Sequence, residues 1–161
     1  MIRNANISDA AQIVEIYNYY IKDTIITFEE EVIDAFEMEQ RMKIVLEKFP
    51  WLVLEENGEI IGFAYASTWK HRVSYRFTVE TTVYLNPNVV QKGSGTKLYK
   101  ALFEALKEYD FHMAIGVISL PNLGSVKLHE NFGFEKVGHY SEVGKKFGKW
   151  IDVGFWQKKL Q

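Results

Sequence analysis

Residues 77–109 read FTVETTVYLNPNVVQKGSGTKLYKALFEALKEY. The first eight carry β-branched and aromatic side chains at Val79, Thr81, Thr82, Val83 and Tyr84, and Pro87 closes the run, which predicts a strand. From Leu98 the apolar positions Leu98, Leu102, Leu106 and Tyr109 recur every three to four residues, the period of a helix with one buried face. Between strand and helix stand Gln91, Lys92, Gly93, Ser94, Gly95 and Thr96. Two glycines one residue apart at a helix start let the backbone come close to a ligand. The N–H groups of the first turn, at the positive end of the helix dipole, suit a phosphate. Ordinary strand-to-helix turns also contain such glycines. What distinguishes this one is Glu80, a carboxylate inside the strand that feeds it.

The spacing resembles the acetyl-CoA loop of the GNAT superfamily of N-acetyltransferases, in which a strand, a Q/R-x-x-G-x-G/A loop and a long helix follow one another. Val90 stands where that pattern has Gln or Arg, with Gln91, Lys92 and Lys97 as candidate substitutes for a pyrophosphate contact. The resemblance implies pyrophosphate over Gln91, Lys92, Gly93, Ser94, Gly95 and Thr96, and pantetheine along Val83, Tyr84 and Leu85.

Working outward, residues 1–6 read as a strand, and Ser8 with Asp9 as the start of a helix whose inner face is Ala10, Ile13, Ile16, Tyr17 and Tyr20. Residues 22–32 have no clean period and read as a connector. A second helix is expected over 34–48 with Phe36, Met42, Leu46 and Phe49 inward. A strand over 51–54, a turn through Asn57 and Gly58, and a returning strand over 60–67 form a hairpin. Beyond the central helix come a buried strand over 112–119, a short helix over 121–131 closed by Gly133, and two strands over 134–140 and 150–157 joined by a Gly144/Gly148 loop. Hairpins mixed with strand–helix–strand crossovers predict an α/β (α+β) fold, with a mixed, mostly antiparallel sheet of about seven strands flanked by about four helices. The whole order matches the acetyltransferase superfamily, and the 161 residues read as one domain.

Composition excludes several classes. A net charge of −2 signals neither a nucleic-acid partner nor a membrane surface. No cysteine is present, so there is no disulfide framework or thiolate nucleophile, and the four histidines lack ligand spacing for a metal. No run approaches membrane-spanning length, and the expected location is the cytoplasm. The 15% of aromatic residues predicts a tightly packed core or aromatic-lined interfaces.

Acetyl transfer from a thioester to an amine needs a group that takes the ammonium proton, an N–H donor for the oxyanion and a proton for the departing thiolate. Glu80 is the candidate base, its side chain pointing with Thr78 and Thr82. The residue pattern alone equally fits a glutamate facing solvent or paired with Arg72 or Arg76. His129 is a candidate proton donor near the thiol, or a packed histidine on a helix. Residues 72–84 (RVSYRFTVETTVY), 120–129 (LPNLGSVKLH) and 144–156 (GKKFGKWIDVGFW) together resemble the phosphinothricin N-acetyltransferase branch, with further matches at 15–20, 50–53 and 64–66. The resemblance implies a homodimer that acetylates the amino group of phosphinothricin, methionine sulfoximine or related amino acids. It places the base at Glu80, a histidine at His129, and pantetheine contacts at Asn122 and Ser125. For the substrate, Arg72 and Arg76 can hold a carboxylate or phosphinate through paired N–H donors, and Tyr75 and Phe28 are candidates to cover the pocket. Two departures stand out: Phe147 where that branch often has histidine, and Gly124 where it often has proline. Acylation of another small amine or of a protein N-terminus, and a silent acyl-CoA sensor, are the alternatives. The strand over 150–156 is expected to present an edge that a partner subunit covers.

Overall fold

A computed structural model of the protein describes residues 1–89 and 91–161. In chain order the elements are β1 (Ile2–Asn4), α1 (Ala10–Asp23), α2 (Ala35–Leu46), β2 (Trp51–Glu56), β3 (Glu59–Thr68), β4 (Thr78–Leu85), α3 (Ser94–Leu106), β5 (Met113–Leu120), α4 (Leu123–Asn131), β6 (Glu135–Lys146) and β7 (Lys149–Lys159). Single 3₁₀ turns occur at Ile7–Asp9 and Val73–Tyr75. The strands form one seven-stranded sheet in the order β1-β2-β3-β4-β5-β7-β6. Among the described pairings, only β4 with β5 is parallel. The expected succession of strands and helices is therefore the observed one.

The chain forms two compact units. The first is Met1–Asn18, Ile33–Ser67 and Thr81–Asp110; the second is Tyr19–Val32, Thr68–Glu80 and Phe111–Gln161.

In the first unit, Asn57 and Gly58 turn the β2–β3 hairpin with φ of 52° and 83°, the two left-handed residues of a type I′ turn. The aromatic content goes largely into stacking: Trp51 lies on Tyr65 with ring centroids 4.1 Å apart, and beside Phe63 at 5.8 Å. On α3, Leu98, Tyr99 and Leu102 are completely buried, and the Tyr99 hydroxyl bonds Thr81 Oγ1 of β4 at 2.6 Å. Two expectations need correction here. The helical start is set by Asn6 rather than Ser8. Asp9, 7% exposed, accepts the Asn6 N–H at 2.7 Å and a two-pronged bond from Arg3 at 2.8 and 2.9 Å. On α2, capped by Asp34, the buried residues are Met38 and Met42, while Phe36 is 68% exposed. Two residues along a helix turn the side chain by about 200°, so Phe36 cannot share the face of Met38.

In the second unit, β7 pairs with β5 from Met113↔Lys159 to Leu120↔Asp152 and with β6 on its other side. The edge strand is therefore β6, not the terminal strand. The expected Gly144/Gly148 loop is also corrected. β6 runs on to Lys146, and only Phe147 and Gly148, with φ of 52° and 72°, make the turn. Gly144 lies within the strand, and the Phe28 ring occupies the space that a side chain there would take.

Candidate active site

Glu80 ends the ladder between β4 and β5. That ladder starts where His112 N–H donates to the Phe77 carbonyl at 2.8 Å and pairs Thr78↔Met113, Val79↔Ala114 and Glu80↔Ile115. Parallel partners share a face of the sheet, so the Glu80 side chain lies on the face of Ile115, which is 8% exposed. Burial pushes the Glu80 carboxyl above its ordinary value, and the Lys70 ammonium offsets this only in part. Among the described residues Glu80 forms no ion pair. Arg76 donates instead to the Val73 carbonyl at 3.1 Å and lies 4.4 Å from the Phe77 ring centre. Arg72 precedes the 3₁₀ turn Val73–Tyr75 and is exposed. The reading of Glu80 as a structural partner of either arginine is thereby set aside.

His129 sits on α4, whose N-terminus is capped by Asn122: its Oδ1 accepts the Ser125 N–H at 3.1 Å. One turn on, His129 Nδ1 lies 2.7 Å from the Ser125 carbonyl oxygen. A carbonyl only accepts, so the ring proton is on Nδ1 and Nε2 carries the lone pair. Burial holds the imidazole below its usual pKa, more than the Ser125 bond raises it, so it is neutral at neutral pH. The ring is 4% exposed and packs edge-on to Phe134 at 5.0 Å. Its seat is Gly116 on β5, where a Cβ would come 2.5 Å from Cδ2 and 2.6 Å from Nε2. Gly116 follows Ile115 and so lies on the opposite face from Glu80. Glu80 and His129 thus flank the strands from two sides and do not form a hydrogen-bonded dyad. A donor role for His129 requires the imidazolium, which its burial disfavours.

Of the remaining candidates, Tyr75 and Phe28 are 46% and 41% exposed, as a substrate cover requires. Asn122 and Ser125 spend Asn122 Oδ1 and the Ser125 backbone on the α4 start and on His129, leaving the Asn122 Nδ2 donors as the part suited to a ligand.

The first unit holds the glycine loop. Gly93 precedes α3 with φ +91°, no side chain caps the helix, and a Cβ at Gly93 would meet nothing within 4 Å. The early N–H groups of α3 lack carbonyl partners inside the helix, the arrangement an anion fits. Ser94 is buried, Gly95 half-buried, and Thr96 and Lys92 exposed. Gln91 Nε2 reaches Glu56 at 3.3 Å. Val83, Tyr84 and Leu85 are half-buried, and Tyr84 meets Tyr17 edge-on at 5.4 Å. Val90 lies outside the described residues. A cavity of about 290 Å³ in this unit, walled by Tyr17, Trp51, Phe63 and Tyr65, contains no carboxylate or imidazole among its lining residues.

The model of the acetyltransferase (GNAT) domain matches residues 2–154. The chain belongs to the GNAT family of acetyltransferases. It is 38% identical over 160 residues to a phosphinothricin N-acetyltransferase of Streptomyces viridochromogenes, covering 99% of this chain and 87% of that one. With the L-methionine sulfoximine/L-methionine sulfone acetyltransferase of Salmonella typhimurium it shares 34% identity, covering 99% and 94%. A Sinorhizobium meliloti phosphinothricin acetyltransferase solved with acetyl-CoA superposes with a TM-score of 0.94 at 35% identity, covering 99% of this chain and 87% of that one. This GNAT protein has the N-acetyltransferase fold, and no helix among its described residues is long and apolar enough to cross a membrane.

Sequence reasoning missed Gly116, Lys70 and Lys146. A glycine among β-branched residues in a buried strand is the available signal for Gly116. For the two lysines the sequence offers none.

Proposed function

We propose that the protein acetylates the α-amino group of a small amino acid bearing a second acidic or sulfoximine-like group, by direct transfer from acetyl-CoA. The observation that carries this reading is Glu80, a half-buried carboxylate of raised pKa at the end of the β4–β5 ladder. An α-ammonium, with a pKa of about 8 in a peptide, must lose its proton before it can attack, so a base that holds its proton more tightly than an exposed glutamate is matched to the task. The relatives named for phosphinothricin and methionine sulfoximine support the substrate class.

Acetyl-CoA supplies the activated acetyl group. Within the first unit, the backbone N–H groups of Gly93, Gly95 and Thr96 hold its pyrophosphate, the Ser94 N–H being given to the Gln91 carbonyl at 3.1 Å, and Val83, Tyr84 and Leu85 hold the pantetheine arm. Glu80 takes the ammonium proton, and the freed amine attacks the thioester carbonyl. Collapse of the tetrahedral adduct forms the amide, breaks the C–S bond and releases CoA, whose thiolate takes the nitrogen's second proton. His129 presents a neutral Nε2 on the other face of the strands. Arg72 and Arg76 hold the second acidic group, with Tyr75 and Phe28 covering it. The protein works in the cytoplasm as a single catalytic domain over 1–161, a reading that the interleaving of its two units along the chain supports.

A thiol-release assay with acetyl-CoA and a panel of phosphinothricin, methionine sulfoximine, methionine sulfone and N-terminal peptides tests this. Turnover is expected with the amino-acid analogues and not the peptides. Release with peptides alone overturns the substrate class, and acetyl-CoA binding without release to any amine marks a silent sensor.

The loop assignment has its own test. Gly95 is the second residue of α3, where valine is no worse a helix former than glycine, so Gly95→Val is expected to leave α3 in place while its branched side chain pushes a phosphate away. Acetyl-CoA affinity falls by tenfold or more, roughly the loss of a charge-assisted hydrogen bond, with little change in Tm. Unchanged affinity in calorimetry removes the phosphate from this loop.

The proposed assembly is a homodimer. Its support is the edge strand β6 and the hairpin around it, where Tyr140, Val143, Phe147 and Trp150 are 56–62% exposed. Light scattering at micromolar concentration should give twice the chain mass, and Trp150→Lys should shift it towards the monomer. A monomeric mass for the unmodified protein refutes the assembly.

A further inference from the structure

Residues 24–34 join α1 to α2 without regular structure, yet they are pinned at both ends of the run. At the base, Asn18 Nδ2 donates to the Ile33 carbonyl at 2.8 Å and its Oδ1 accepts the Ile33 N–H at 3.1 Å. Farther along, the anchor is Lys146, the last residue of β6, 119 positions away in sequence, whose Nζ donates to the Thr27 carbonyl at 2.8 Å. The Lys146 side chain is 1% exposed. Burial pulls its ammonium below the ordinary lysine pKa, opposed by Glu30 and then Glu29 of the same segment.

A buried lysine is an expensive way to fill space. An apolar side chain of like volume avoids the desolvation cost, so the ammonium calls for a reason. Thr27 is followed by Phe28, whose ring lies on Gly144; a Cβ at Gly144 would come within 2.6 Å of Phe28 Cζ. Gly144 and Lys146 stand two residues apart in a regular stretch of β6, where Gly144 pairs with Ile151 and Lys146 with Lys149, so both face the same side. One strand face thus grips two consecutive residues of the segment, the carbonyl of Thr27 through an ammonium and the ring of Phe28 through a missing side chain.

We propose that Lys146 is a positioning residue for the amine substrate: its ammonium straps residues 24–32 to β6 and thereby fixes where Phe28 stands. The proposal rests on the assignment of Phe28 to the amine site. Lys146 does not touch the reacting atoms; it sets amine affinity through Phe28.

The experiment compares wild type, Lys146→Met, Phe28→Ala and the double variant. Hydrogen exchange is read first, without any substrate: amides of residues 24–32 exchange faster in Lys146→Met while those of β5 and α4 do not. With the amine that wild type turns over best, Lys146→Met raises KM about tenfold, the order lost with a hydrogen bond to a charged group, and leaves kcat and acetyl-CoA affinity within about twofold. In the Phe28→Ala background the same substitution has little further effect on KM, because the two act through one ring. Gly144→Ala, which displaces the Phe28 ring while keeping Lys146, gives the same KM-only signature and serves where Lys146→Met folds poorly. Unchanged exchange in Lys146→Met, or KM effects that add in full, overturns the proposal. Absence of any turnover by wild type instead overturns the functional reading, and the exchange result then still decides whether the strap exists.

Discussion

Glu80→Gln lowers kcat by roughly 10²–10⁴-fold at neutral pH, the usual worth of a positioned general base. The amide keeps the shape and the hydrogen-bonding capacity and loses only basicity, so acetyl-CoA affinity stays close to that of wild type. Raising the pH recovers part of the rate, since more of the amine is then neutral in solution. In wild type, kcat/KM falls as pH drops through the raised Glu80 pKa. The same shift has a signature in stability. Burial makes the folded protein hold the Glu80 proton to higher pH than the unfolded chain does. Wild type therefore loses stability as pH rises from about 4.3, the ordinary glutamate value, to the raised one. Glu80→Gln escapes that loss, so its Tm exceeds that of wild type at neutral pH and the difference closes near pH 4. A raised KM with unchanged kcat, when chemistry limits the rate, removes Glu80 as the base and makes it a binding group.

How far the sequence discloses this site depends on which residues the function needs nearby in the chain. Glu80 and the glycine loop belong to one strand–turn–helix run, so period and composition locate both, while the roles proposed for them come from the resemblance. Asn122 caps the short helix that carries His129, and its candidacy rests on the resemblance and not on a local pattern. What was hidden is non-local. The pairing Glu80↔Ile115 and the seating of His129 on Gly116 are facts of register, and they reveal that the two groups flank opposite faces. Local pattern carries no register. For the same reason the sequence of β7, an apolar strand at the chain end, reads as an edge, whereas β7 lies between β5 and β6. Phe36 misled in another way. It is apolar and lies near a helix start, but Asp34 as cap fixes a phase in which Met38 and Met42 point inward. Lys146 was invisible because nothing in a Lys–Lys–Phe–Gly sequence distinguishes a buried ammonium from the exposed one beside it.

Gly116→Ala places a methyl group where the His129 ring now lies, so one of the two must move. The clash is with a ring held by the Ser125 carbonyl and by Phe134, not with the end of a flexible chain. Overpacking of this kind costs about 1–3 kcal/mol, a fall in Tm of about 2–12 °C for a domain of this size. In a His129→Ala background the methyl has room, and the same substitution costs close to nothing, a non-additivity that a double-mutant cycle reads directly. Equal cost in both backgrounds would show that Gly116 is needed for the strand and not for the histidine. The pH dependence separates the imidazole's charge from its bulk. The folded pKa of His129 is lowered, so the unfolded chain takes the proton first as pH falls. Its burial is therefore harmless above the ordinary value of about 6.5 and costs stability progressively below it, down to the folded pKa. His129→Ala lacks that loss, and its stability deficit relative to wild type narrows between pH 7 and pH 5. In catalysis, Gly116→Ala, by displacing the ring, and His129→Phe, by removing its nitrogens, are both expected to lower kcat while leaving the amine KM untouched, because Arg72, Tyr75 and Phe28 are not disturbed. If instead kcat survives both substitutions, Nε2 has no part in proton transfer and His129 is there to close the packing between α4 and β5.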